Sequence, residues 1–116
     1  MHNFKDLRVW QKSIELTTEI YALLSTFPPE EKFGLISQMK RAAVSIPSNI
    51  AEGAGRNSNK EFKHFLSVSL GSLFEIETQL IIANRLGLIN TEVTQETNVK
   101  ISDLQRMIFA LEKTIS

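Results

Sequence analysis

Cysteine is absent from this chain of 116 residues. That excludes a disulfide framework, a thiol nucleophile and thiolate metal ligation, and it fits a reducing compartment. Histidine occurs only at positions 2 and 64, so a metal site would need carboxylates converging from several helices, and no metal is expected. Neither sign of charge is in excess. Thirteen Lys and Arg balance thirteen Asp and Glu, so no global field gathers nucleic acid or anionic membrane, and any basic surface must be local. No apolar run approaches the roughly 20 residues that span a bilayer, and the opening MHNFKDLRVW lacks the apolar stretch of a signal peptide. The expectation is a soluble cytoplasmic protein with no membrane partner.

Helical periodicity is present almost everywhere. The chain fits one domain over residues 1–116, large enough for a single core without staples. Four helices are expected at about 6–25, 29–55, 59–86 and 91–115. Asp6 caps the first. The break Thr26-Phe27-Pro28-Pro29 puts Pro29 in the first turn of the second, with Glu30 and Glu31 complementing its dipole. Ser58 and Glu61 have capping-box spacing before the third. Gly87 ends that helix, Leu88 and Ile89 fold back over the bundle end, and Thr91 caps the fourth, whose polar opening is expected to fray. Short connections make neighbours antiparallel, so the fold class is all-α: an up-down-up-down four-helix bundle.

Two helices carry unusual patterns. On the first, Leu7, Trp10, Ile14, Tyr21 and Leu24 form one apolar line, and Val9, Leu16, Ile20 and Leu23 form another. Together they exceed the roughly 100° arc that a surface helix needs. The second line is a candidate subunit interface, unless this helix is simply the most central. The second helix sets an apolar face, Leu35, Met39, Ala42, Ala43, Ile46 and Ile50, beside a polar stripe of Gln38, Arg41, Ser45, Asn49, Glu52 and Arg56. Pro47 lies within it. Proline removes the donor to the Ala43 carbonyl and costs about 3 kcal/mol in a helix interior. A kink rather than a stop is expected, because Ile50 resumes the phase, with Ser45, Ser48 and Asn49 available to the freed backbone. Such a kink would either follow the bundle's curvature or open the helix to present Asn49, Glu52 and Arg56. In the third helix, Gly71-Ser72 is expected to allow close approach of a neighbour.

Catalytic constellations are missing. Glu61 and His64 have Glu-x-x-His spacing once, without the second copy that a di-metal bundle requires. Glu75 and Glu77 point in different directions on a helix, and no serine stands at activating spacing from a base. Gly53-Ala54-Gly55-Arg56 follows a helix, where a phosphate loop would follow a strand. No enzyme activity, cofactor or small-molecule substrate is implied. What remains is a local basic surface: Lys5, Arg8 and Lys12 on the first helix, then Lys40, Arg41, Arg56, Lys60 and Lys63 on the second helix and beyond its turn. Such charges are either a solvated face or a set of phosphate contacts.

FKDLRVWQKSIEL, SQMKRAAVSIPSNIAEGAGR, KEFKHFL and GSLFEIETQL together resemble the bacterial 23S rRNA intervening-sequence proteins, from Phe4 to about Ile89. The motif residues are Gln38, Arg41, Ser45, Pro47, Asn49, Glu52, Gly53 and Arg56. The resemblance implies a cytoplasmic four-helix bundle that assembles as a ring, commonly a pentamer, with no established enzymatic activity. A related branch, the accessory proteins of diversity-generating retroelements, is similar in fold and engages nucleic acid through a basic pentamer surface; the present chain is neutral where that branch is basic. Two functions follow. One is a homo-oligomeric accessory or scaffold that associates with RNA, Arg41 and Arg56 contacting phosphates with Lys40, Lys60 and Lys63 nearby. The other is an oligomeric protein-interaction module without nucleic-acid binding, its polar stripe serving subunit assembly.

Overall fold

Every regular element of the structure, a computed structural model that describes residues 2–31 and 34–115, is helical. Helix α1 spans Arg8–Leu24, α2 Leu35–Ala54, α3 Asn59–Arg85 and α4 Thr91–Thr114. Each packs on two others in the cyclic order α1, α2, α3, α4, and among the described residues the backbones of the diagonal pairs stay more than 8 Å apart. Ser45 meets Ser72, Ile46 meets Ser69, and Gly53 meets Phe62 and Phe65. Rising numbers on α2 thus face falling numbers on α3, the mark of an antiparallel pair. The bundle measures 44 × 24 × 19 Å.

The helix starts differ from the expected ones in three places. Asp6 does not cap α1; it ends a 3-10 turn, Phe4–Asp6, that Asn3 caps by accepting from the Lys5 amide at 3.2 Å. Pro29–Glu31 forms a second 3-10 turn, and α2 begins only at Leu35, because a proline-led first turn suits either helix type. Asn90, one residue ahead of Thr91, caps α4: its side-chain oxygen accepts from the Val93 amide at 2.7 Å. At the head of α3, Ser58 accepts from the Glu61 amide at 3.1 Å, and α4 is helical from its polar opening onward. Beyond α3 the chain turns at Gly87, whose φ of +77° favours glycine.

The core is built by Ile20 of α1, Met39, Ala43, Ile46 and Ile50 of α2, Phe62, Leu66, Leu73 and Ile76 of α3, and Ile101 and Ile108 of α4. Ile89 closes the end of the bundle, with Leu88 packed against it. Val9, Leu16 and Ile20, expected as a subunit interface, are buried in this core and Leu23 is half-buried against it. The inward line of α1 is Val9, Ser13, Leu16, Ile20 and Leu24. Ser13 disguises it in the sequence, yet fits because its hydroxyl donates to the Trp10 carbonyl at 2.7 Å. The line left outside carries Ile14 and Tyr21.

Helix α2 continues through Pro47, which is buried on the α1 side. The freed Ala43 carbonyl finds its partner on α1, not on α2. The Thr17 hydroxyl lies 3.0 Å from it and 2.8 Å from the Ser13 carbonyl, one hydrogen serving both. Ser45 instead donates toward Ala42 and Ser72, Asn49 donates to the Ser45 carbonyl, and Ser48 is exposed. The proline therefore does not open the polar stripe; it binds α2 to α1. Thr17→Val is expected to cost about 1–3 kcal/mol, the penalty of a buried unsatisfied acceptor. In a Pro47→Ala background, where an alanine N–H reaches Ala43, that cost should fall to near zero. Urea unfolding of the four proteins of this cycle reads the difference. Equal losses in both backgrounds would show that Thr17 serves only its own helix.

Candidate functional surface

The polar stripe of α2 runs along its seam with α3, and two of its members, Ser45 and Arg56, reach across that seam. Ser45 sits 2.5 Å from Ser72, and the buried Ser69 hydroxyl donates to the Ile46 carbonyl at 2.9 Å. Asn49 caps its own helix turn by donating to the Ser45 carbonyl at 2.8 Å. Arg56 pairs with Glu52 at 2.6 Å, lies 3.8 Å from Glu61 across the turn, and stacks over the Phe65 ring at 5.0 Å. Its charge is already matched by two carboxylates within the chain.

Gln38 and Arg41 differ from the rest. They are exposed, one turn apart on α2, and no ion pair or side-chain hydrogen bond ties either to the other described residues. Of the eight motif residues, Ser45, Pro47, Asn49, Glu52, Gly53 and Arg56 have work inside the fold. Gln38 and Arg41 have none.

The remaining basic residues divide in the same way. Lys40 is half-buried, its ammonium 5.0 Å above the Tyr21 ring. Lys60 is exposed and Lys63 half-buried at the start of α3, and Arg8 is exposed at the start of α1; none has an acidic partner among the described residues. Antiparallel packing brings those two helix starts to one end of the bundle, so the positive ends of two helix dipoles add to the three side-chain charges. In a groove of about 600 Å³ between α1 and α4, Lys12 pairs with Glu15, Glu19 with Lys100 and Asp103 with Arg106, which leaves Arg8 as the lining charge without a partner among the described residues.

Neither histidine is set up for chemistry. His2 lies against the Phe62 ring, 5.0 Å between centroids, and its amide donates to the Ala54 carbonyl at 2.8 Å. His64 lies edge-on to Phe65. Among the described residues no three His, Asp or Glu side chains converge as a metal site. Gly71 serves no close approach in the bundle, since a Cβ there would meet nothing within 4 Å. The close approach is at Gly53, where a Cβ would stand 2.7 Å from the Cβ of Phe65.

A small antiparallel helical bundle with a polar seam is the class of protein that these features define. The chain belongs to the 23S rRNA-intervening sequence protein family, whose profile matches residues 5–110. Among solved structures it is similar to a protein of unknown function from the S23 ribosomal protein family of Bacteroides thetaiotaomicron, with a TM-score of 0.84 and 26% identity, over 90% of this chain and 95% of that one. No curated protein matches the chain.

Proposed function

We propose that this protein is a non-enzymatic, self-assembling accessory or scaffold protein of the cytoplasm that associates with structured RNA. The observation that carries the reading is the exposed pair Gln38 and Arg41, without a side-chain partner among the described residues, in a motif whose other members are used inside the fold. Arginine without an internal carboxylate is suited to a phosphate, and a neighbouring glutamine to a base or sugar edge. Arg8, Lys60 and Lys63 at the bundle end extend the same chemistry. A family named for 23S rRNA and a neighbour from a family named for a ribosomal protein agree with it. Arg56 is set aside as a phosphate contact because Glu52 and Glu61 hold it.

A salt titration of binding to a folded RNA fragment, with the solution mass measured in the same buffers, is the test. Four phosphates contacted by Arg8, Arg41, Lys60 and Lys63 should give a log–log slope of about −3. Combining Arg41→Ala, Lys60→Ala and Lys63→Ala should bring it to about −1 without changing the mass. No binding at low salt by the assembled protein would favour the second reading, an oligomeric protein-interaction module. The exposed Val68, Phe74, Ile81, Ile82 and Leu86 of α3 are what give that reading weight.

A further inference from the structure

The α2–α3 seam continues past the Ser45–Ser72 contact toward the start of α2. Seven residues make about two helical turns. Gln38, seven before Ser45, and Gln79, seven after Ser72, therefore lie on the faces that those serines occupy. Antiparallel packing brings the two glutamines level with each other, and by the same count Arg41 comes level with Glu75 and Ile76. The Ser69–Ile46 hydrogen bond keeps this register.

The bundle leaves Gln79 incomplete. This residue is 6% accessible, and its Oε1 is buried with no hydrogen-bond partner among the described residues. A buried acceptor without a donor is costly and calls for an explanation. Gln38 is exposed and has no side-chain partner among the described residues, so it can swing off the seam without breaking a contact. Glu75, one turn before Gln79 on α3, is exposed and in none of the ion pairs of the described residues, although Arg41 is level with it. Ile82, one turn after Gln79, is 45% accessible. At one place the seam thus offers a donor amide from α2, two unused acceptors from α3 and an apolar side chain beside them.

We propose that this end of the seam holds one unpaired guanine of an RNA and reads its Watson–Crick edge. That edge presents an acceptor, O6, followed by two donors, N1–H and the 2-amino group. The Gln38 amide donates to the first, and Gln79 Oε1 and the Glu75 carboxylate accept from the other two. No other standard RNA base sets two donor groups side by side there: adenine and cytosine have one amino group each, and uracil has one N3–H. The ring rests on Ile82, and Arg41 takes the adjoining phosphate. An unpaired base is the form in which RNA sequence is open to side chains, because the major groove of an A-form helix is too narrow to be read. The inference rests on the RNA reading above and deepens it by naming the base and the residues that select it.

Fluorescence anisotropy tests it with a labelled hairpin whose loop holds a single guanine, against the same hairpin with adenine in that place. The parent should favour guanine by about tenfold or more, the discrimination of a good pair of hydrogen bonds. Inosine, which lacks the 2-amino group, should lie between. Gln79→Leu should bring the guanine-to-adenine ratio close to one and melt no lower than the parent, since the orphaned oxygen leaves with the amide. Glu75→Ala should reduce the same ratio, from which any uniform effect of the lost charge cancels. If the parent binds both hairpins equally, or if Gln79→Leu keeps the parent's preference, the base site is wrong and RNA association stands. No binding to either hairpin at low salt overturns both. Displacement of the hairpin by guanosine monophosphate at a comparable concentration would assign the site to a free nucleotide and overturn its assignment to RNA.

Discussion

Gly53→Val is expected to cost more than about 3 kcal/mol, at or beyond the upper end of overpacking penalties. Gly53 is buried within α2, and a Cβ at this position would stand 2.7 Å from the Cβ of Phe65, 3.1 Å from a ring carbon of Phe62 and 3.3 Å from the Phe62 carbonyl oxygen. The first and last of these atoms are fixed by the α3 backbone, so no rotamer change relieves them. The helices must move apart at the point where Arg56 bridges Glu52 and Glu61. Alanine meets the same atoms with less bulk: overpacking of about 2–3 kcal/mol, toward the upper end because the Phe65 Cβ cannot move away, is offset by about 1 kcal/mol of helix propensity, for a net loss of about 1–2 kcal/mol. Thermal unfolding measures both, at roughly 4–8 °C per kcal/mol for a domain near this size. A Gly53→Ala protein as stable as the parent would show that the α2–α3 seam is looser than its geometry.

The fold was legible where one face of a helix repeats cleanly. Phe62, Leu66, Leu73, Ile76 and Leu80 follow a single helical phase, and all five are buried on α3. The Ser58–Glu61 spacing likewise marks the α3 start because a cap is a local interaction. Legibility failed where two apolar lines compete. On α1 the line of Leu7, Trp10, Ile14, Tyr21 and Leu24 is mixed, Ile14 and Tyr21 being exposed while Trp10 packs against the core and Leu24 lies in it, and the inner line is interrupted by Ser13, whose burial is made tolerable by a carbonyl one turn back. It failed also where the partner is tertiary. Pro47 announces an orphaned carbonyl in the sequence, but Thr17 lies 26 residues before Ala43, and spacing along one helix cannot reveal a donor on another.

The candidate surface was legible to the same degree. Periodicity fixes the angle of Gln38, Arg41, Ser45, Asn49, Glu52 and Arg56 around α2 and so sets them in one stripe. It does not say which members the neighbouring helix consumes. Ser72, Phe65 and Glu61, all on α3, take Ser45 and the exposed Arg56 as partners and leave Arg41 without one among the described residues. A motif residue with an internal role is explained by folding alone, so the functional weight of the motif moves to Gln38 and Arg41. Arg41→Ala should accordingly leave stability nearly unchanged, whereas substitutions at Pro47 or Gly53 report on the bundle and carry no information about a ligand.

Phe62→Ala is expected to cost about 3–5 kcal/mol, the range for removing a buried phenyl ring, and to lower the melting temperature by more than about 12 °C. The ring is buried at the first turn of α3, with the His2 imidazole 5.0 Å away and Gly53 beneath it. Cavity cost depends on how far the surroundings collapse. Collapse is restricted here, because α2 and α3 already approach at Gly53 to the limit that glycine permits, which places the loss toward the upper end. Phe62→Leu keeps most of the volume and should cost much less. The two seam positions can be tested together. Phe62→Ala removes the ring carbon that crowds a new Cβ at Gly53 but leaves the Phe65 Cβ and the Phe62 carbonyl in place. Adding Gly53→Ala to Phe62→Ala should therefore bring little rescue, and the two losses should sum to within about 0.5 kcal/mol, unusually for neighbours. Substantial rescue would mean that the phenyl ring, and not the α3 backbone, is what requires glycine at position 53.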